Sequence, residues 1–214
     1  MYMSLFSSNK LVSSIASDST ADVLALIADT SLDAAIESGA LHGIPVIGMA
    51  TGLIKAGRDI REAFLVKKLA RFLRPTCALS DGERKKFVAQ FENAATKEEF
   101  GAALLILIDR SEDIEKPAIL GRLLVANVRG AFGRNELMRM SKMVDRSFFE
   151  DLVFLKTFIT GLQPGNEIIA QSLTAIGFLY QAGFDGGDAT EGSGGIWYEI
   201  SQYGQWLAKY GLTD

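Results

Sequence analysis

One stretch of the chain, residues 41–73, decides the fold, and it reads LHGIPVIGMATGLIKAGRDIREAFLVKKLARFL. An apolar, glycine-rich patch at its start passes directly into a basic amphipathic segment. Read at helical period from residue 53, the apolar side chains share one face. They are Leu53, Ile54, Ile60, Phe64, Leu65, Leu69, Phe72 and Leu73. The pattern predicts a helix over 53–73 that ends near Pro75, because a proline drives the preceding residue away from helical backbone angles.

Two interpretations of this stretch are open, and they do not exclude each other. In the first, the apolar face packs into a helical bundle, which is the usual role of an amphipathic helix. In the second, the apolar patch dips into a lipid surface while basic side chains face anionic headgroups. These basic side chains are Lys55, Arg58, Arg61, Lys67, Lys68, Arg71 and Arg74. The apolar run 44–54 is too short to cross a bilayer, since a spanning helix needs about 20 residues.

The composition describes a globular protein with strongly segregated charge. A chain of 214 residues with 48% hydrophobic residues can bury a real core in one domain or two small ones. The net charge of −4 hides a basic segment, because residues 41–80 carry 7 bases against 2 acids, whereas 161–214 carry 1 against 6. We therefore expect an anionic partner to meet the middle of the chain. The single cysteine and the absence of a signal-like N-terminus predict a cytoplasmic protein, with peripheral attachment at the inner membrane as an option.

Helix signals follow one another from residue 20 to residue 160. Capping boxes are predicted at Ser80–Glu83 and at Thr96–Glu99, and Pro117 stands in the first turn of a further helix, where its missing amide hydrogen does no harm. The run 100–109 is apolar nearly all round, which indicates the central helix. We predict an all-α bundle over 20–160, preceded by a loose arm at 1–19.

The last part of the chain, 161–214, has a different character. It holds 11 of the 21 glycines. Its pattern predicts a helix over 166–178, strands at 179–184 and 196–200, and a last helix capped by Ser201. The buried face of the first helix is predicted to hold Ile168, Ile169, Leu173 and Ile176. This order resembles the end of a winged-helix module. The predicted fold is thus mainly α, a multi-helix bundle followed by a small winged-helix-like α+β module.

The charge of this module opposes binding to duplex DNA, because its predicted recognition helix over 166–178 has no lysine or arginine. A protein-contacting wing fits better. Four aromatic side chains are candidates for the contact with a partner, although such side chains also fill cores. They are Trp197, Tyr198, Tyr203 and Trp206.

No catalytic or metal-binding pattern stands out. His42 and Cys77 are the only residues of their types, which argues against a zinc site and against a histidine-dependent nucleophile. The acids between 109 and 115 are interspersed with bases and read as a solvated turn, and the glycine-rich stretch 186–195 lacks the lysine of a phosphate-binding loop. We therefore expect no enzymatic activity, no cofactor and no metal.

The order of parts is similar to that of the Abi-alpha type of bacterial abortive-infection proteins. The likeness lies in an acidic N-terminal helix, the segment "GIPVIG…GLIKAGRDI…KKLARFL", the middle "LLILIDRSEDIEKPAILGRLLVANVRG" and the end "YEISQYGQWLAKYGL". Residues 118–145 also resemble the helical tellurite-resistance fold, but Asn127, Arg129 and Gly130 stand where that fold has acids.

The first resemblance implies a role in defence against phage or mobile elements. It leads us to expect a non-enzymatic interaction protein with a protein partner or a second copy of itself, and with an anionic membrane surface as a further option. The alternative is a regulator that binds nucleic acid. It would use the same central bases together with Arg129, Arg134, Arg139 and Arg146.

Overall fold

The computed structural model describes residues 8–26, 32–54, 60–159, 167–185 and 195–213. Within them the chain is mainly helical and has one two-stranded antiparallel sheet. Two compact units divide the chain, Met1–Gly133 and Arg134–Asp214. We call them the N-terminal unit and the C-terminal unit.

The N-terminal unit contains helices joined by short connections. They are α1 (Ser8–Ala16), α2 (Asp18–Leu26), α3 (Leu32–Glu37), α4 (Pro45–Ile54), α5 (Ile60–Leu73), α6 (Asp81–Ala89), α7 (Ala94–Arg110) and α8 (Lys116–Val128), with 3-10 turns at Ala40–Gly43 and Arg74–Ala78.

The C-terminal unit combines helices with the hairpin. Its elements are α9 (Arg134–Arg146), α10 (Phe149–Ile159), α11 (Glu167–Ile176), β1 (Leu179–Asp185), β2 (Gly195–Ile200) and α12 (Gln202–Trp206), which continues as a π-helical turn (Leu207–Gly211). The division between the units lies earlier than the boundary expected after residue 160. Helix α10 packs against α11 and β2, which joins it to the hairpin, and α9 falls in the same unit.

Helix α8, and not the predicted run 100–109 in α7, is the most enclosed helix. Twelve of its 13 residues are buried, all except Arg122, whereas 6 of the 17 residues of α7 are buried. Helix α8 packs against α5, α6 and the 3-10 turn that follows α5. Its position between these elements explains why even its polar residues lie inside.

The expected loose arm at 1–19 is wrong for the residues that the structure describes. Residues 8–16 form α1, whose Leu11, Val12 and Ile15 are fully buried and which packs against α4, α6 and α7. Serines do not interrupt this helix, because their hydroxyls donate to carbonyls one turn earlier, as the Ser14 hydroxyl does to the carbonyl of Lys10 at 2.8 Å.

The stretch 41–73 forms two helices in the described residues, α4 and α5, with 55–59 lying outside them. Helix α5 ends at Leu73, ahead of Pro75, as predicted. Its buried face differs from the predicted one. Leu69, Phe72 and Leu73 are fully buried, but Phe64 is 51% exposed, and Val66 is fully buried instead.

The hairpin confirms both predicted strands. Tyr180 lies opposite Glu199 and Gly183 opposite Trp197, with an irregularity in the register between Gln181 and Gly183. The side chains of Leu179 and Tyr198 are buried. Ser201 caps α12, as predicted, by accepting a hydrogen bond from the amide of Gly204.

Candidate interaction surfaces

The basic side chains of α5 are largely occupied by internal contacts. The ammonium group of Lys68 donates a hydrogen bond to the carbonyl of Asp109 at 2.8 Å. The guanidinium of Arg71 pairs with the carboxylate of Glu115 at 3.3 Å. Two of the seven predicted anion-binding bases therefore tie α5 to its neighbours, Lys68 to the last turn of α7 and Arg71 to the residue that precedes α8.

The other predicted bases are divided between exposed positions and undescribed ones. Arg74 is exposed, and half-buried Lys67 has its ammonium group 5.8 Å from the centre of the Phe64 ring. Lys55 and Arg58 lie outside the described residues, and so does the side chain of Arg61.

The apolar patch that precedes these bases belongs to the core. Ile44, Val46 and Ile47 are fully buried, and Ala50 is 1% exposed. These four side chains have no surface with which to enter a lipid layer, so the lipid-dipping interpretation is wrong for this part of the patch. The side chains of Leu53 and Ile54 lie outside the described ones.

The additional bases of the nucleic-acid alternative fall into two groups. Arg129 is bound locally, because its Nε lies 2.9 Å from the carboxylate of Glu83 and its Nη2 donates to the carbonyl of Ala78 at 2.8 Å. The amide hydrogen bond from Ser80 and the guanidinium of Arg129 together lower the pKa of Glu83 to about 2. Arg134, Arg139 and Arg146 lie on α9, where Arg139 and Arg146 are exposed.

The four aromatic candidates for partner contact have different environments. Trp197 is 43% exposed, but Tyr198 is 4% exposed and occupies an inward position of β2, so it offers little surface for a contact. Tyr203 and Trp206 are half-buried, with ring centres 5.7 Å apart in an edge-to-face arrangement. The guanidinium of Arg139 lies 5.2 Å from the centre of the Tyr203 ring.

Exposed large apolar side chains are concentrated in the C-terminal unit, and of these only Trp197 was predicted as a contact residue. Nine such side chains occur in the described residues, and seven of them belong to the C-terminal unit. These seven, which we call the apolar set, are Phe148, Val153, Phe154, Ile168, Tyr180, Phe184 and Trp197. Phe184 and Ile168 are 76% and 79% exposed, although Ile168 was expected to be buried.

A signal for part of this set was present in the sequence. Helix α10 buries Leu152, Leu155 and Phe158 along one side, so Val153 and Phe154 are additional apolar residues outside that stripe. A helix that is apolar beyond its inner stripe indicates either full burial or an unfilled contact. The helical period predicts the inner stripe, but it does not predict whether a partner covers the additional apolar residues.

A cleft of about 420 Å³ in the N-terminal unit, between the end of α1 and α6, is explained by structure. Its charged lining residues are Asp18, Asp81, Arg84 and Lys85. Arg84 is buried, and its Nη atoms donate to the carbonyls of Ile15 at 2.6 Å and Thr76 at 3.3 Å. Its Nε pairs with the carboxylate of Asp18 at 3.2 Å. This arginine joins three segments of the unit, so the cleft is a by-product of that junction.

Two further properties concern the described residues alone. In them, no group of three or more histidine, cysteine, aspartate or glutamate side chains is placed to hold a metal ion. None of the helices there has both the length and the apolar character needed to cross a bilayer.

Comparison with known proteins gives no relative, since no family model, no curated protein and no solved structure matches the chain.

Proposed function

We propose that this chain is a non-enzymatic interaction protein that binds another protein through its C-terminal unit. The observation that carries the proposal is the concentration of exposed large apolar side chains there, seven of the nine in the described residues. Exposed apolar surface beyond scattered single residues marks interaction sites, because water is in contact with groups that a partner would cover.

The polar surroundings of the apolar set favour a protein partner over duplex DNA. Glu167 and Gln171 are exposed on α11, beside Ile168, and Glu199 is exposed on β2. Phosphates would be repelled by these carboxylates, whereas a protein surface with apolar side chains and a basic rim would complement them. On this proposal, α11 and the hairpin, which the sequence predicts to be winged-helix-like, serve protein contact.

Quantitative affinity purification from the native host tests this proposal. The test variant carries Ile168→Ser, Phe184→Ser and Val153→Ser, which remove three exposed apolar side chains. The control carries Phe64→Ser and Val88→Ser, which remove the exposed large apolar side chains of the N-terminal unit. We expect a discrete set of proteins to be recovered with the unmodified chain and with the control, and to be lost at least tenfold with the test variant, since buried apolar contacts of this size each contribute about 1.5–3 kcal/mol.

Equal recovery by all three proteins, or loss with the control alone, contradicts the proposal. The two variants must first show the same helical circular dichroism as the unmodified chain, so that a loss reports the surface and not unfolding.

We also propose a setting for this contact, which is defence against phage or mobile elements. It is supported by the resemblance of layout to abortive-infection proteins. The same purification, made from infected and uninfected cells, addresses it. A partner of phage origin, or one that binds only during infection, supports this setting, and a partner set that infection leaves unchanged opposes it.

Peripheral attachment at the inner membrane is a second candidate, favoured by one observation. Phe64 is 51% exposed with the ammonium group of Lys67 beside its ring, and Arg74 is exposed one helix end away. An aromatic ring flanked by bases suits an anionic headgroup layer. In co-sedimentation with anionic vesicles, we expect Lys67→Glu with Arg74→Glu to release the protein, while Lys85→Glu with Lys86→Glu does not. Equal vesicle binding by the two variants would reject attachment through Phe64, Lys67 and Arg74.

A further inference from the structure

A basic face on α9 is separate from the apolar set. Arg139, Lys142 and Arg146 are all exposed, and their spacing of three and four residues places them on one side of the helix. Residues that flank them on the inner side, such as Met140 and Val144, are buried. The three cations therefore point away from the core of the C-terminal unit.

Aromatic rings lie beside this face. Tyr203, Trp206 and Tyr210 recur at intervals of three and four residues along α12 and its π-helical continuation, and each is partly exposed. The 5.2 Å contact between Arg139 and the Tyr203 ring joins the aromatic stripe to the basic face. The ammonium group of Lys209 lies 5.0 Å from the centre of the Tyr210 ring at the other end of the stripe.

Charge within the C-terminal unit is segregated toward the same elements. Residues 134–146 and 202–211 together carry 5 bases and 2 acids, whereas the remainder of the unit carries 1 base and 8 acids. An anionic ligand is therefore attracted to α9 and the last helix and repelled from the hairpin.

We infer that the basic face of α9 and the aromatic stripe of the last helix form a binding surface for single-stranded nucleic acid. Successive cations follow a phosphate backbone, and aromatic rings stack on unpaired bases, which is the combination that binds single strands without sequence preference. A duplex keeps its bases stacked internally and would leave the rings unused. A polyanion without nucleobases would bind the basic side chains of α9 but would not stack on the aromatic rings.

Fluorescence anisotropy with labelled oligo(dT) of about 20 nucleotides tests the inference, because single-strand sites commonly occupy about 4–16 nucleotides. We expect saturable binding that weakens as salt rises, with a logarithmic slope of about −2 if roughly three phosphates are contacted. The variant Arg139→Glu, Lys142→Glu, Arg146→Glu should bind at least tenfold more weakly. A matched control, Arg74→Glu, Lys85→Glu, Lys86→Glu, reverses the same number of exposed charges in the N-terminal unit and should bind like the unmodified chain.

A second readout reports the rings directly. The chain has 2 tryptophans, so Trp197→Phe leaves Trp206 as its only indole. We expect oligo(dT) to quench the fluorescence of this variant and heparin to leave it unchanged, because only unpaired bases stack on the ring.

The inference is overturned by no binding to oligo(dT), by equal loss of binding in both charge variants, or by tighter binding to the matching duplex or to heparin than to the single strand. Binding without quenching of Trp206 also overturns it, because the aromatic stripe would then take no part. The protein-contact proposal is unaffected by these results, since this surface uses none of the apolar set.

Discussion

Gly121 shows at the scale of one residue what holds the N-terminal unit together. A Cβ atom at this position of α8 would lie 2.2 Å from the carbonyl oxygen of Phe72 and 3.2 Å from Cγ of Pro75. Both atoms belong to the end of α5 and the turn after it, so α5 and α8 approach each other as closely as glycine permits. We expect Gly121→Ala to lower the free energy of unfolding by about 1–3 kcal/mol, as overpacking of a core does.

Gly82 provides the matched control for this prediction. A Cβ added at Gly82, in the first turn of α6, would have nothing within 4 Å. Gly82→Ala should therefore be neutral or raise the free energy of unfolding by about 0.4–1 kcal/mol, because alanine restricts the unfolded chain. Urea denaturation of both variants checks the pair, and an equal loss of stability in the two would show that the close approach at Gly121 is unimportant.

Individual residues were predictable where their role depends on near neighbours in the sequence. The capping box at Ser80 is confirmed, with the Ser80 amide donating to the Glu83 carboxylate at 2.7 Å. The box expected to begin at Thr96 begins instead at Asn93, and Thr96 is its third helical residue. Asparagine and threonine both occur as N-cap residues, and the local sequence does not decide between two candidates three residues apart.

At the scale of the element, the sequence predicted whether a segment forms a helix or a strand, but it did not predict which face of the element is buried. The strands at 179–184 and 196–200 were predicted from alternation and agree closely with β1 and β2, but the irregular register after Gln181 has no sequence signal. In α5 the buried face differs from the predicted one, since it includes Val66 and excludes Phe64. Several apolar stripes can be drawn on such a helix, and the contacts with α4 and α8 select the one that is buried.

The same reason explains α1 and Ile168. Serines separate the apolar residues of 8–16, a pattern that predicts an arm, yet these residues form α1, which packs against α7 and buries Leu11 and Ile15. Ile168 fits the helical period of α11, yet it is 79% exposed. Whether an apolar side chain is covered depends on tertiary partners, which periodicity cannot supply.

At the scale of the whole molecule, the distribution of charge along the chain was predictable from the sequence. Which basic side chains are engaged in internal contacts was not predictable. The basic middle of the chain is real, yet Lys68, Arg71 and Arg129 hold segments of the N-terminal unit to one another. Pairing with carbonyls and carboxylates distant in sequence is invisible in composition. The exposed large apolar side chains are instead concentrated in the C-terminal unit, and of these only Trp197 was among the predicted contact residues.

Site-specific photo-crosslinking tests this central claim most directly. A photoreactive benzoyl-phenylalanine replaces Phe184, which is 76% exposed in the C-terminal unit, or Phe64, which is 51% exposed in the N-terminal unit. Both replacements retain an aromatic ring at an exposed position, so they compare location alone. Irradiation in the native host should give a discrete protein adduct from position 184 and none of comparable yield from position 64, and adducts from position 64 alone would contradict the account.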